Sequence, residues 1–314
     1  MATYQTYTAI GQREDLSDVI YNISPTDTPF MSSVGKTKAT AVYHEWQTDS
    51  LAAAALNVAV EGATASDATM SPTSRVGNRC QISQKTIKIS NTLNAVDKAG
   101  RKSEKAYQLA KASAEIKRDM ELTCLSNQVA TNGNSTTARA LGGLQAWLST
   151  TYSGGTSGVA GSGGTTARTN GTNRTFIESM LQTAVKGVYT AGGNPKVLMV
   201  TPAGKQTVSG FAGIAAQRYM APSNAPTTII GAADVYLSDF GTLSVVPNRF
   251  MNSTNSADDV AFVIDPDMAA IAYLRPFQTN ELAVTGDNES TQLLAEFTLE
   301  VKNEAAHGII ADLS

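Results

Sequence analysis

The chain offers little to chemistry: two histidines, two cysteines, a few carboxylate pairs and one basic cluster. His44 and His307 could each serve as a general base only if folding brought a nucleophile to them. His44 falls in an alternating stretch that reads as a hairpin arm, a poor platform for preorganised groups. His307 lies near the start of the last element, Ala306–Leu313. Cys80 and Cys124 make neither a disulfide framework nor a metal site. They read as buried free thiols in a reducing compartment. Asp258-Asp259 and Asp265-Pro266-Asp267 could pair around a cation or a proton, but flanking strands and the proline make turn chemistry the better account. Lys98, Arg101, Lys102 and Lys105 could touch phosphate; Asp97 and Glu104 beside them favour a solvated, partly balanced face. Gly158–Gly164, GVAGSGG, lacks the preceding strand and following helix of a dinucleotide cradle. Nucleophile-elbow, Walker, HExxH and EF-hand patterns are absent. The expectation is a protein that is not an enzyme, with no cofactor and no metal.

The elements that would position these residues are organised around Ser103–Asn127, a stretch without Gly or Pro and rich in strong helix formers. Leu109, Ala112, Ile116, Met120 and Thr123 draw one stripe along it. Ser103 is a fitting N-cap with Glu104 in the first turn, and Lys111–Glu115 and Lys117–Glu121 have i,i+4 spacing. Such a helix is a strut for sheets and neighbouring subunits.

Met1–Lys36 reads as an arm, with a short helix over Asp15–Ile23, prolines at 25 and 29 that force extended backbone, and an apolar anchor in Phe30, Met31 and Val34. Thr40–Asp49 and Arg75–Ser90 alternate as strands, the second in two registers that a bulge near Gln84 would reconcile. Ser50–Ser74 between them is rich in Ala, Thr and Ser. The result is a long hairpin with a loose tip, marginal alone, for which no part of this chain obviously supplies a partner surface. Leu93–Ala99 has helical character. Ser149–Gly171 reads as a flexible loop. Asn173–Gly192 predicts an amphipathic helix, Lys196–Val200 a buried strand, and Thr201-Pro202 the start of a second helix reaching about Tyr219. Strands follow at Thr227–Ile230, Ala233–Leu237 and Gly241–Pro247. Val260–Ile264, Met268–Leu274, Gln278–Val284, Leu293–Val301 and Ala306–Leu313 form a closing sheet.

The 314 residues are 42% hydrophobic but only 16% charged, with a formal net charge of −3. Ordinary globular proteins carry about 25% charge. A small, neutral surface suits a protein covered largely by its own copies, and equally an ordinary polar one. No basic tail or stripe points to phosphate-neutralising nucleic-acid binding. No secretory leader pattern and no apolar run of membrane-spanning length is present.

Gly11–Lys36 (GQREDLSDVIYNISPTDTPFMSSVGK), Ser74–Thr92 (SRVGNRCQISQKTIKISNT), Ala99–Leu125 (AGRKSEKAYQLAKASAEIKRDMELTCL) and Leu274–Ser290 followed by FTLEVKNEAAHGII carry a resemblance that covers nearly the whole chain. The order of elements resembles the HK97-like major capsid proteins of tailed double-stranded DNA bacteriophages, and these motifs are similar to the SU10-type major head protein family. The resemblance implies an α+β fold: an N-terminal arm at 1–36, an extended hairpin loop at 37–92, a peripheral domain with spine helix and flexible loop at 93–172, an α/β axial domain at 173–250, and a peripheral return sheet at 251–314. It implies hexamers and pentamers forming an icosahedral shell around phage DNA held without sequence-specific contacts, with an encapsulin-type compartment as the alternative on the same fold. The partners implied are other copies of the chain, a separate scaffolding protein, a portal and room for a decoration protein, with no membrane. The location implied is the virion, after assembly in the host bacterial cytoplasm. Candidate assembly contacts are Phe30, Met31, Trp46, Glu61, Arg75 and Arg79. Covalent cross-linking known in one branch does not carry over, because no lysine–asparagine placement licenses it.

Overall fold

The computed structural model describes residues 24–62, 64, 67, 68, 70–96, 103–211, 234–251 and 259–314. The expected helix at Asp15–Ile23, the strand at Thr227–Ile230 and the far end of the second axial helix lie outside them. The described strands are β1 (Gly35–Lys38), β2 (Tyr43–Thr48), β3 (Ser74–Arg79), β4 (Gln81–Ser90), β5 (Tyr152–Ser153), β6 (Val197–Val200), β7 (Val235–Ser238), β8 (Gly241–Pro247), β9 (Asp259–Ile264), β10 (Ala269–Glu281), β11 (Asn288–Val301) and β12 (Gly308–Leu313). They make a four-stranded sheet in the order β1-β10-β11-β4, a six-stranded sheet in the order β5-β12-β9-β6-β8-β7, and a ribbon of β2 and β3.

The six-stranded sheet is covered on both faces, which explains why β6 and β9 read as unbroken apolar runs. Val197, Met199, Phe262, Ile264 and Ile309 face one core, shared with the four-stranded sheet. Leu198, Val200, Ala261, Val263 and Ile310 face a second, under the helices of the 173–211 segment. A one-residue slip in either strand would exchange the two sets.

The described helices are α1 (Pro29–Ser33), α2 (Asn91–Ala95), α3 (Glu104–Leu125), α4 (Leu144–Trp147), α5 (Glu178–Thr190) and α6 (Pro202–Ser209). α3 is the expected strut. Ser103 caps it by accepting from the Ala106 amide; of the expected stripe Ala112, Ile116 and Met120 are buried, Leu109 and Thr123 are half-buried, and Cys124, one turn after Met120, is the buried position in place of Thr123. Its apolar residues share one core with Leu293 and Phe297 of β11; each such side chain contributes about 1.5–3 kcal/mol. Thr201 caps α6 by accepting from the Gly204 amide.

Several expectations need correction. The break in the Arg75–Ser90 stretch falls at Cys80, not near Gln84, because β3 pairs with β2 while β4 joins β11 in another sheet. Gly35–Lys38 is a strand, parallel to β10. Met268–Leu274 and Gln278–Val284 are one bulged strand, β10. The 251–314 segment does not return to one sheet: β9 and β12 enter the sheet of β6, β7 and β8, while β10 and β11 enter the other.

The 149–172 loop is not a loose tether. The Arg168 side chain is fully buried in an ion pair with Asp312, at 2.7 Å. The Asn127 side chain bonds the Arg168 backbone in both directions. A Cβ at Gly155 would stand 2.0 Å from the Thr172 carbonyl oxygen, and one at Gly161 2.4 Å from that of Gln145. Glycine is used here for close backbone approach, so the composition that suggests a linker is a packing device.

Candidate functional site

The residues that could do chemistry are tied into structure. His307 is buried; its Nδ1 accepts from the Asp265 amide at 3.3 Å and its Nε2 lies 3.3 Å from the Met268 carbonyl. The proton therefore sits on Nε2, and burial pulls the ring's pKa down, keeping it neutral. Asp265 accepts from the amides of Asn194 and Asp267, capping the turn between β9 and β10. Asp267 forms an exposed ion pair with Lys196, which lowers its pKa. Burial raises the Cys80 thiol to about 11 and pushes Cys124 up further, so both stay protonated. Lys105 pairs with Glu281 and Glu289. Lys98, Arg101, Lys102 and Asp258 lie outside the described residues.

The β2–β3 ribbon divides into a docked root and a bare tip. The root overturns the expectation that the chain offers the hairpin no partner surface. Trp46 packs on Trp147, with ring centroids 5.6 Å apart. Asn78 is buried and donates to the carbonyls of Gly142 and Leu299, while its own oxygen accepts from the Gly142 amide. His44 Nε2 lies 3.3 Å from Glu300, whose same oxygen accepts from the Thr37 hydroxyl. The root is thus held by α4's neighbourhood and by β11.

The tip, 49–73, has no helix or strand among its described residues. Leu51, Leu56, Val58, Val60 and Met70 are between 79% and 99% exposed. Its charged residues are Asp49, Glu61 and Asp67, with no lysine or arginine. Five large apolar side chains standing in water on one loop leave much apolar surface for a partner to cover.

The six candidate contacts are not one cluster. Phe30 and Met31 are buried inside the chain, in the same core as Met120. Trp46 belongs to the root. Arg79 stacks on Tyr43, its guanidinium carbon 4.2 Å from the ring centroid, and Arg75 pairs with Glu45 at 3.0 Å on the exposed ribbon. Glu61 is exposed at the tip's turn, beside Gly62 at φ +78°. Spacing along α3 paired Glu121 with Lys117; the structure instead buries Glu121, which accepts from the Phe30 and Met31 amides at 2.7 and 2.9 Å and from the Asn248 side chain at 2.6 Å. Burial pushes its pKa up, and these donors pull part of that back. The signal in the sequence was only that Glu121 lies next to the buried stripe residue Met120.

The family model for SU10 major capsid protein matches residues 2–314. The major capsid protein of Escherichia phage Phieco32 is 29% identical, over 98% of this chain and 96% of its own length. Among solved structures, the capsid of cyanophage A-1(L) aligns with a TM-score of 0.70 at 12% identity, covering 96% of this chain and 97% of that one. The SrpI encapsulin of Synechococcus elongatus aligns at 0.57 and 10% identity, covering 97% and 93%.

Proposed function

This chain belongs to the SU10 major capsid protein family, and on that premise we propose that its copies assemble as hexamers and pentamers into an icosahedral shell enclosing a tailed phage's double-stranded DNA. It is a phage major capsid protein with an HK97-like fold. Residues 1–36 act as the arm and 37–92 as the overlapping loop. The axial domain comprises 173–250 together with β9 and β12, and the remainder is peripheral. A separate scaffolding protein and a portal take part in making the particle, which has room for a decoration protein and assembles in the host cytoplasm. The chain catalyses no reaction. With no basic stripe in the sequence, DNA is held by confinement.

The observation that carries this reading is the bare tip. Burying each of its large apolar side chains is worth about 1.5–3 kcal/mol, against roughly 1–2 kcal/mol of backbone ordering per residue. The net gain per buried side chain is therefore at most about 2 kcal/mol, small enough for misplaced copies to leave before closure. The encapsulin alternative rests on the SrpI likeness, which shows the fold only.

Deleting Leu51–Thr73 tests the reading. The expected result is a folded subunit, with Tm close to wild type, that yields few or no closed particles by negative-stain microscopy. Trp46→Ala, which loosens the root, is expected to reduce particle yield less severely. Normal shells from the deletion would sink the overlap role.

A further inference from the structure

Three segments far apart in sequence meet at one buried carboxylate. Helix α1 has no cap of its own: Thr28 makes no side-chain cap and Pro29 has no N–H. Its first two free amides, Phe30 and Met31, donate to the two oxygens of Glu121 on α3. The third donor comes from the far side. Asn248 follows β8, and its amide donates to the carbonyl of Val200 at the end of β6, which fixes it to the six-stranded sheet. Its side-chain oxygen accepts from Phe250, and its Nδ2 donates to Glu121. Glu121 and Asn248 are both fully buried. Among the described residues no lysine, arginine or histidine pairs with Glu121, so three N–H groups alone solvate it.

We propose that Glu121 couples the arm to the six-stranded sheet, so that displacing the β8 end releases the arm and releasing the arm loosens the β8 end. The reasoning is one of satisfaction. A buried carboxylate that loses one of three donors is under-solvated, and hydrogen bonds to a charged group are worth about 1.5–3 kcal/mol each. Removal of the Asn248 donor therefore weakens the whole junction, including bonds Asn248 does not make. Linkage requires the effect to be reciprocal. The arm is then a reporter of where the sheet end sits.

Hydrogen exchange on the full-length subunit tests this, with the amides of β12 as an internal reference. In Glu121→Gln, an amide group faces N–H donors, and exchange of the Phe30 and Met31 amides is expected to rise roughly tenfold or more. Asn248→Ala makes the discriminating case, because among the described residues Asn248 has no hydrogen bond to the arm. Exchange over residues 24–34 is expected to rise at least severalfold while β12 stays unchanged. Should Glu121→Gln fail to fold, Asn248→Ala carries the test alone. Arm exchange within twofold of wild type in Asn248→Ala would reduce Glu121 to a local helix cap and overturn the coupling. So would unprotected Phe30 and Met31 amides in the wild type.

Discussion

Residues 49–73 and 149–172 are built from the same small side chains, yet one stands bare and the other is packed. Ala, Ser, Thr and Gly dominate both. The second contains seven glycines against one, and a single cation, Arg168. Those differences decide the outcome. Arg168 enters the interior because Asp312 meets it there, and Asp312 also accepts from the Gly155 amide at 2.7 Å. The glycines then let neighbouring backbone close to distances no Cβ would permit. Among its described residues the first stretch has no buried partner, and Leu51, Leu56, Val58, Val60 and Met70 stay in water. What separates a wall from a limb here is one buried ion pair and a set of missing Cβ atoms, not overall polarity.

The comparison breaks most sharply at Arg168. Arg168→Ala leaves Asp312 charged and unpaired in the interior, a loss of about 3–5 kcal/mol. Urea unfolding of the subunit would read it, and a change under 1 kcal/mol would refute the ion pair's role. The glycines sharpen the contrast. Gly155→Ala sets a methyl group against the Thr172 carbonyl and is expected to destabilise by about 1–3 kcal/mol. Gly62→Ala in the bare tip meets nothing within 4 Å, so only its left-handed backbone matters, at roughly 1 kcal/mol. Equal losses at the two sites would erase the distinction.

The smallest effect is in pH dependence. Burial raises the pKa of Asp312, but the amides of Gly155 and Gly171 and the Arg168 guanidinium outweigh it, and the folded value lies below the ordinary 3.8. Its stabilisation is present above 3.8 and lost as pH falls through the lowered value. Glu121 has the opposite sign: its folded value is raised, so its contribution is full below 4.5 and lost as pH rises through the raised folded value. Asp312→Asn should therefore flatten the acid limb of a stability–pH curve, and Glu121→Gln the limb above 4.5. Unchanged limbs in urea titrations at a series of pH values would contradict both signs.

What could be read from the sequence was local. Ser103 capping α3, Thr201-Pro202 opening α6, the Asp265 turn and the α5 stripe each depend on residues within a few positions of one another. What could not be read depends on distant partners. Gly35–Lys38 shows no alternation and is a strand only because β10 lies beside it. Glu121 looked like a surface partner of Lys117, since helix spacing says nothing about an arm arriving from elsewhere. The tip of the candidate site was legible as a charge-poor gap between two alternating stretches. Its root was not, because the surface that receives Trp46 lies far along the chain.

That reception has a practical corollary. The chain contains two tryptophans, and they are the pair that touch. Intrinsic indole emission is therefore a single-joint gauge: a shift in wavelength or quenching reports the seating of the ribbon on the body, without any label. Followed during particle formation, it would time that joint against the appearance of closed shells.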